Sequence, residues 1–239
     1  MNKYTKIEIK SLIENYIKKD EILSNEIVSV YAMGSFAKKE KYNDIDLNFF
    51  CRKNYGNLIS SIEKMISKFK EIYGIDIDPN IIDEDMYSKG LMNTKLFVHK
   101  YRASLLLFEL KTLNSLVYGE NILDEVIINE NDLKEETKKL MLILRHRMSK
   151  DYLTKKRNFV NSKYLRKNVK YAIEFFLVNQ GCHNPYFITS DELIKKYPIL
   201  RKFDNIVKLA LSDMEGTLNF KESYDFVIFL SDRVINEKI

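Results

Sequence analysis

Two carboxylates one residue apart, Asp44 and Asp46, follow shortly after a Gly34-Ser35 step. That step ends an apolar run from Ile27 to Met33. Side chains on a strand alternate between faces. Read as a strand, Asp44-Ile45-Asp46-Leu47 sends both carboxylates to one face and Ile45 and Leu47 into a core. Like charges fixed side by side repel. A divalent cation between them removes the conflict, and Mg²⁺ prefers oxygen ligands of this kind. Gly34-Ser35 fits the sharp turn that has to join the two strands.

Those residues need a frame. Ile7, Ile9, Leu12, Ile13 and Tyr16 recur at helical spacing and predict a first helix over residues 4–18. Ile27 to Met33 predicts the first strand, and Asp44 to Phe50 the second. Leu58, Ile59, Ile62, Met65, Ile66 and Phe69 predict a helix that stops near Gly74. Ile75-Asp76-Ile77-Asp78 alternates apolar and acidic residues, which predicts a third strand. Pro79 makes that strand short or places it at a sheet edge. Ser104 to Leu113 reads as a helix, and Leu116-Val117-Tyr118 before Gly119 as a further short strand.

After about residue 130 the pattern turns helical. Leu133 to Leu153, Tyr164 to Val178, Asp191 to Tyr197, Phe203 to Met214 and Lys221 to Val234 read as amphipathic helices. Gly181, Pro185, Pro198 and Gly216 punctuate them, and Ser190 or Thr189 caps the third. The fold class expected is α+β. A small mixed sheet with flanking helices spans residues 1–125, and an all-α domain spans residues 126–239.

The chain has 239 residues, is 45% hydrophobic and 31% charged, and so belongs with folded rather than disordered proteins. Its net charge of +5 is too mild to argue for nucleic acid. Cys51 and Cys182 lie in unrelated contexts and form no disulfide framework, which fits a reducing cytoplasm. No apolar leader opens the sequence and no stretch approaches a membrane span. A cytoplasmic protein with no membrane partner is expected. His99, His146 and His183 have no metal-ligand spacing. Neither a Gly-x-x-x-x-Gly-Lys phosphate loop nor a Gly-x-Ser-x-Gly elbow is present.

From Ile27 to Phe50 the chain resembles the nucleotidyltransferase superfamily that includes DNA polymerase beta. The residues that carry the likeness are Gly34, Ser35, Asp44 and Asp46. Among its members, the chain is most similar to small bacterial enzymes that adenylylate antibiotics of the aminoglycoside type. The family draws a third carboxylate from a later strand, a slot that Asp76 or Asp78 fills here. The two share a face, so spacing does not separate them; Pro79 favours Asp76, because it marks Asp78 as leaving the strand. The basic residue and glycine that follow the family's Gly-Ser step are Lys38-Lys39 in this chain, and the spacer to the Asp pair is short.

The resemblance implies that an acceptor oxygen attacks the α-phosphorus of a nucleoside triphosphate, with ATP as the nucleotide. Two Mg²⁺ ions, held by Asp44, Asp46 and Asp76, would stabilise the attacking and leaving oxygens. Gly34, Ser35 and Lys38 would contact the triphosphate, helped by Lys39 and Lys41. The acceptor implied is a hydroxyl of a small molecule, with the helical domain closing over it. Glu109, Glu120 and Glu174 are candidates for binding a polycationic acceptor. The basic residues Lys163, Arg166, Lys167 and Lys170, and Arg145-His146-Arg147, read as solvated faces that can also meet a triphosphate. Two other functions compete. One is nucleotide transfer to a tRNA or protein acceptor, as in minimal nucleotidyltransferase antitoxins. The other is a non-catalytic nucleotide- or partner-binding module.

Overall fold

A computed structural model describes residues 4–39, 42, 44–52, 55–83, 103–124, 126–154, 162–212 and 216–236. The chain divides into two compact units, Met1–Ile128 and Asn129–Ile239.

The first unit is built on four strands, β1 (Ile27–Met33), β2 (Ile45–Cys51), β3 (Ile77–Asp83) and β4 (Leu116–Gly119), in the order β3-β2-β1-β4. β1 runs antiparallel to both β2 and β4, while β2 and β3 are parallel. A parallel neighbour needs a crossover. Helix α4 (Tyr55–Lys68) and a π-helical turn, Phe69–Tyr73, supply it, and Gly74 ends them in the left-handed region at φ 67°. The unit also contains α1 (Lys6–Lys19), α2 (Glu21–Glu26), α3 (Gly34–Lys38) and α5 (Ala103–Leu113). Thr5 and Glu8 form a reciprocal capping box at the start of α1.

Each face of the sheet has its own core. One face carries Val30, Ala32, Leu47 and Phe49. It is covered by Ile9, Ile13 and Ile17, one turn apart along α1, and by Leu58, Ile62 and Met65 of α4. The other carries Tyr31, Phe50 and Ile82 under Leu106, Leu107 and Leu110 of α5. Strand alternation explains the split: even-numbered residues of β2 and β3 face α5, and odd-numbered residues face the α1–α4 layer.

Pro79 does not shorten the third strand. β3 runs seven residues, with Leu47 opposite Pro79 and pairing continuing to Asp83. The Ile45 amide donates to the Asp76 carbonyl at 2.9 Å. In a parallel ladder this turns the backbone groups of Asp76, Asp78 and Asn80 towards β2. The missing N–H of Pro79 therefore faces the open edge, where it leaves no partner unsatisfied.

The second unit contains α6 (Glu130–Leu153), α7 (Ser162–Asn179), α8 (Ser190–Lys196), a 3₁₀ turn (Pro198–Phe203), α9 (Asp204–Leu211) and α10 (Phe220–Asn236). Helices α6, α7 and α10 pack on one another, burying Met141, Leu144, Val169, Phe176, Phe226 and Leu230. Thr189 and Glu192 repeat the capping box at the start of α8. No helix among the described residues is long and apolar enough to cross a membrane.

Candidate active site

β1 ends at the Gly34-Ser35 turn. Met33 pairs with Asp46 across the β1–β2 ladder, so Gly34 lies just past the last pair, beside the Asp46 side chain. Gly34 adopts φ 65°, a left-handed conformation that costs any L side chain roughly 1–2 kcal/mol. A Cβ there would lie 1.9 Å from Asp46 Oδ2 and 3.0 Å from its Cγ. The carboxylate therefore occupies the space that a side chain at position 34 would need. Ser35 follows at the start of the five-residue α3, half-buried.

The parallel ladder brings a second carboxylate to Asp46. Asp46 and Asp78 are direct register partners, as are Asn48 and Asn80, and then Phe50 and Ile82. Neighbouring strands lie about 4.8 Å apart, so each pair presents adjacent side chains on the α5 face. Asp46 is half-buried and Asp78 exposed. Asn80 Nδ2 donates to Asn48 Oδ1 at 2.8 Å, directly behind the acidic pair. Among the described residues, the buried Nδ2 of Asn48 has no hydrogen-bond acceptor. Sequence reasoning did not single out this asparagine pair, although strand alternation two residues beyond Asp46 and Asp78 points to it.

Asp44 and Asp76 occupy different positions. Asp44 is exposed and precedes the first residue of β2. Asp76 precedes β3, and its carboxylate is held by Lys70 Nζ at 2.8 Å with both side chains well exposed. That hydrogen bond holds the Lys70 ammonium above its ordinary pKa. Pro79 does lie on an edge strand, as one of its two readings expects, but it does not mark Asp78 as leaving that strand. Because the proline nitrogen faces the sheet edge, Asp78 stays in the strand and in register with Asp46.

Lys38, placed by its sequence position against a triphosphate, instead ion-pairs with Glu109 of α5 at 2.7 Å, with side-chain exposures of 10% and 6%. Glu109, Glu120 and Glu174 do not line one surface of one unit: the first two belong to the sheet unit and Glu174 to the helical unit. Glu174 is buried, 3.9 Å from Lys170. In the basic stripe, Arg166 donates to the Gly216 carbonyl at 2.8 Å and Lys167 lies over the Tyr171 ring. Arg145 pairs with Asp232, and Arg147 donates to the Asn168 side chain. Lys41 and His99 lie outside the described residues. Burial pushes the Cys51 thiol up to about 12, so it supplies no thiolate nucleophile at neutral pH.

Among the described residues, no group of three or more His, Cys, Asp and Glu side chains converges on a metal position. The donors form a carboxylate pair. Mg²⁺ suits a pair: it is commonly held by one or two carboxylates and completes its shell with water and substrate phosphate. The Asp46–Asp78 register and the cradle at Gly34 therefore fit Mg²⁺ arriving with a phosphate ligand.

No protein-family model and no curated protein sequence matches the chain. Among solved structures it is similar to the spectinomycin adenyltransferase AAD(9) from Enterococcus faecialis, whose crystal structure holds ATP and spectinomycin. The TM-score is 0.57 at 17% identity, over 92% of this chain and 97% of that one. The two chains share a fold. The sheet with its flanking helices and the following helical unit together form the α+β architecture expected from the sequence.

Proposed function

We propose that the chain is a Mg²⁺-dependent nucleotidyltransferase that moves AMP from ATP to a hydroxyl of a small antibiotic of the spectinomycin or aminoglycoside type. The observation that carries this proposal is the Asp46 carboxylate seated on Gly34 with Asp78 in register beside it. The fold shared with an adenyltransferase that binds ATP and spectinomycin supports the choice of nucleotide and acceptor.

In this scheme Asp46, with Asp44 at the strand entrance, would hold the metal, leaving Asp78 beside them for the proton. When bound, Mg²⁺ would neutralise the triphosphate and stabilise the charge that develops on the attacking and leaving oxygens. Gly34 keeps the turn free of a side chain, so backbone and phosphate can approach. Ser35 offers its hydroxyl and backbone N–H to a phosphate oxygen. Asp78, exposed at the same face, accepts the proton of the attacking hydroxyl as the new O–P bond forms and pyrophosphate departs. The chain acts in the cytoplasm, where ATP is supplied.

Incubation with ATP, Mg²⁺ and a panel containing spectinomycin and aminoglycosides should release pyrophosphate and yield an acceptor heavier by one adenylyl group. No product with any member of the panel would defeat the antibiotic assignment. Turnover that persists in Asp46→Ala would defeat the proposed metal chemistry.

A further inference from the structure

Lys38 closes α3, the short turn that begins at Gly34-Ser35, and its ammonium is turned inward. The partner, Glu109, sits on α5 between Leu106, Leu107 and Leu110, the residues that cover Tyr31, Phe50 and Ile82. The two charges meet at 2.7 Å, with only 10% and 6% of their side chains exposed. Withdrawing two charges from water is expensive, and their attraction offsets the cost only when the geometry is good. Removing one partner is worse than removing both, because an unpaired charge then stays buried. In some proteins such pairs are retained for the arrangement that they fix.

What this pair fixes can be traced through the chain. α3 starts at the residue whose missing Cβ makes room for the Asp46 carboxylate. α5 covers the apolar half of the face that carries Asp46 and Asp78. A link from the end of α3 to α5 therefore ties the Gly34-Ser35 turn to the helix that packs beside the acidic pair. It also answers the Lys38 charge inside the protein.

We propose that Lys38 and Glu109 form a positioning pair that clamps the Gly34-Ser35 turn onto α5 and so sets the nucleotide site, with Lys38 acting through Glu109 and not as a phosphate ligand. This rests on the transferase assignment above. Neither residue touches the reacting atoms. Both act by holding the turn where Ser35 and Asp46 can work together.

A double-mutant cycle tests it, using Lys38→Met, Glu109→Gln and the two combined in the full chain. Two quantities are read: the midpoint of thermal unfolding, and the affinity for ATP with Mg²⁺ by calorimetric titration. Each single substitution should weaken ATP binding at least tenfold and lower the midpoint, and the double variant should lie closer to wild type than either single. A phosphate-binding Lys38 would behave differently: Lys38→Met would weaken ATP binding, Glu109→Gln would not, and the double would match Lys38→Met. That pattern overturns the proposal. So does a loss of thermal stability with ATP affinity unchanged in both single variants, since a merely structural pair gives that result. Additive losses in unfolding overturn it as well. A wild-type chain that binds no ATP defeats the transferase assignment and, with it, the role of the pair at a nucleotide site. The unfolding cycle then reads the coupling of Lys38 and Glu109 separately, so the two failures remain distinguishable.

Discussion

One face of the β2–β3 ladder carries two opposite environments within three register steps. At one end Asp46 stands beside Asp78, and at the other Phe50 stands beside Ile82, with Asn48 and Asn80 joined between them. The apolar end is fully buried under α5, and Phe50 meets Tyr31 edge-to-face at 5.6 Å. The acidic end is half-buried to exposed. The same backbone geometry that lets Phe50 and Ile82 bury surface together forces Asp46 and Asp78 into a repulsive pair. The apolar end buries its side chains, while the acidic end keeps its carboxylates open to solvent.

The largest effect should come from removing the acidic half of this contrast. Asp46→Asn should lower turnover by at least about 10²-fold, the scale of losing one preorganised charge-stabilising group. The same variant should lose less stability without Mg²⁺ than Phe50→Ala, because it removes no buried apolar area and relieves the repulsion with Asp78. Stability without Mg²⁺ and steady-state kinetics, measured on one preparation, check both halves. An Asp46→Asn protein that is both as destabilised as Phe50→Ala and fully active would erase the distinction between the two ends.

The apolar end should respond in the opposite sense. Phe50 is fully buried, so Phe50→Ala removes both apolar area and the ring contact with Tyr31. Substitutions of this kind cost about 3–5 kcal/mol. Denaturant unfolding should show that loss with or without Mg²⁺ present, because no carboxylate is involved. If added Mg²⁺ restored the stability of Phe50→Ala but not of wild type, the two ends would be one coupled site.

Sequence patterning exposes one part of this contrast and conceals another. Ile45, Leu47 and Phe49 alternate with Asp46, Asn48 and Phe50, so the faces of β2 are legible from period alone. The turn is legible too, since only glycine suits φ 65° with a carboxylate against its α-carbon. Register between distant strands is not written in any local pattern. Nothing in residues 75–83 says that Asp78, and not Asp76, falls opposite Asp46; that depends on which backbone groups of β3 face β2. Pro79 misled for the same reason: its cost depends on the side to which its nitrogen points. The Lys38–Glu109 pair was hidden because it joins residues 71 positions apart, and a basic residue after Gly-Ser invites a phosphate role.

The smallest effect expected is also the one that sharpens the assignment of the third carboxylate. Asp76 and Asp78 are chemically alike and two residues apart, yet Asp76 is paired with Lys70 outside the strand while Asp78 lies beside Asp46. The Asp76–Lys70 pair is solvent-exposed, with side-chain exposures of 60% and 70%, so screening leaves it little influence. Asp76→Asn should therefore change turnover by less than about threefold, the small effect usual for exposed pairs, and barely move the unfolding midpoint. Asp78→Asn, by contrast, should approach the loss expected for Asp46→Asn, with the deficit in kcat because the proposed proton acceptor is gone while the Asp46 cradle remains. Parallel kinetics of the two variants decide between the carboxylates. A large loss in Asp76→Asn beside a mild one in Asp78→Asn would mean that β3 shifts when nucleotide binds, returning the third carboxylate to Asp76.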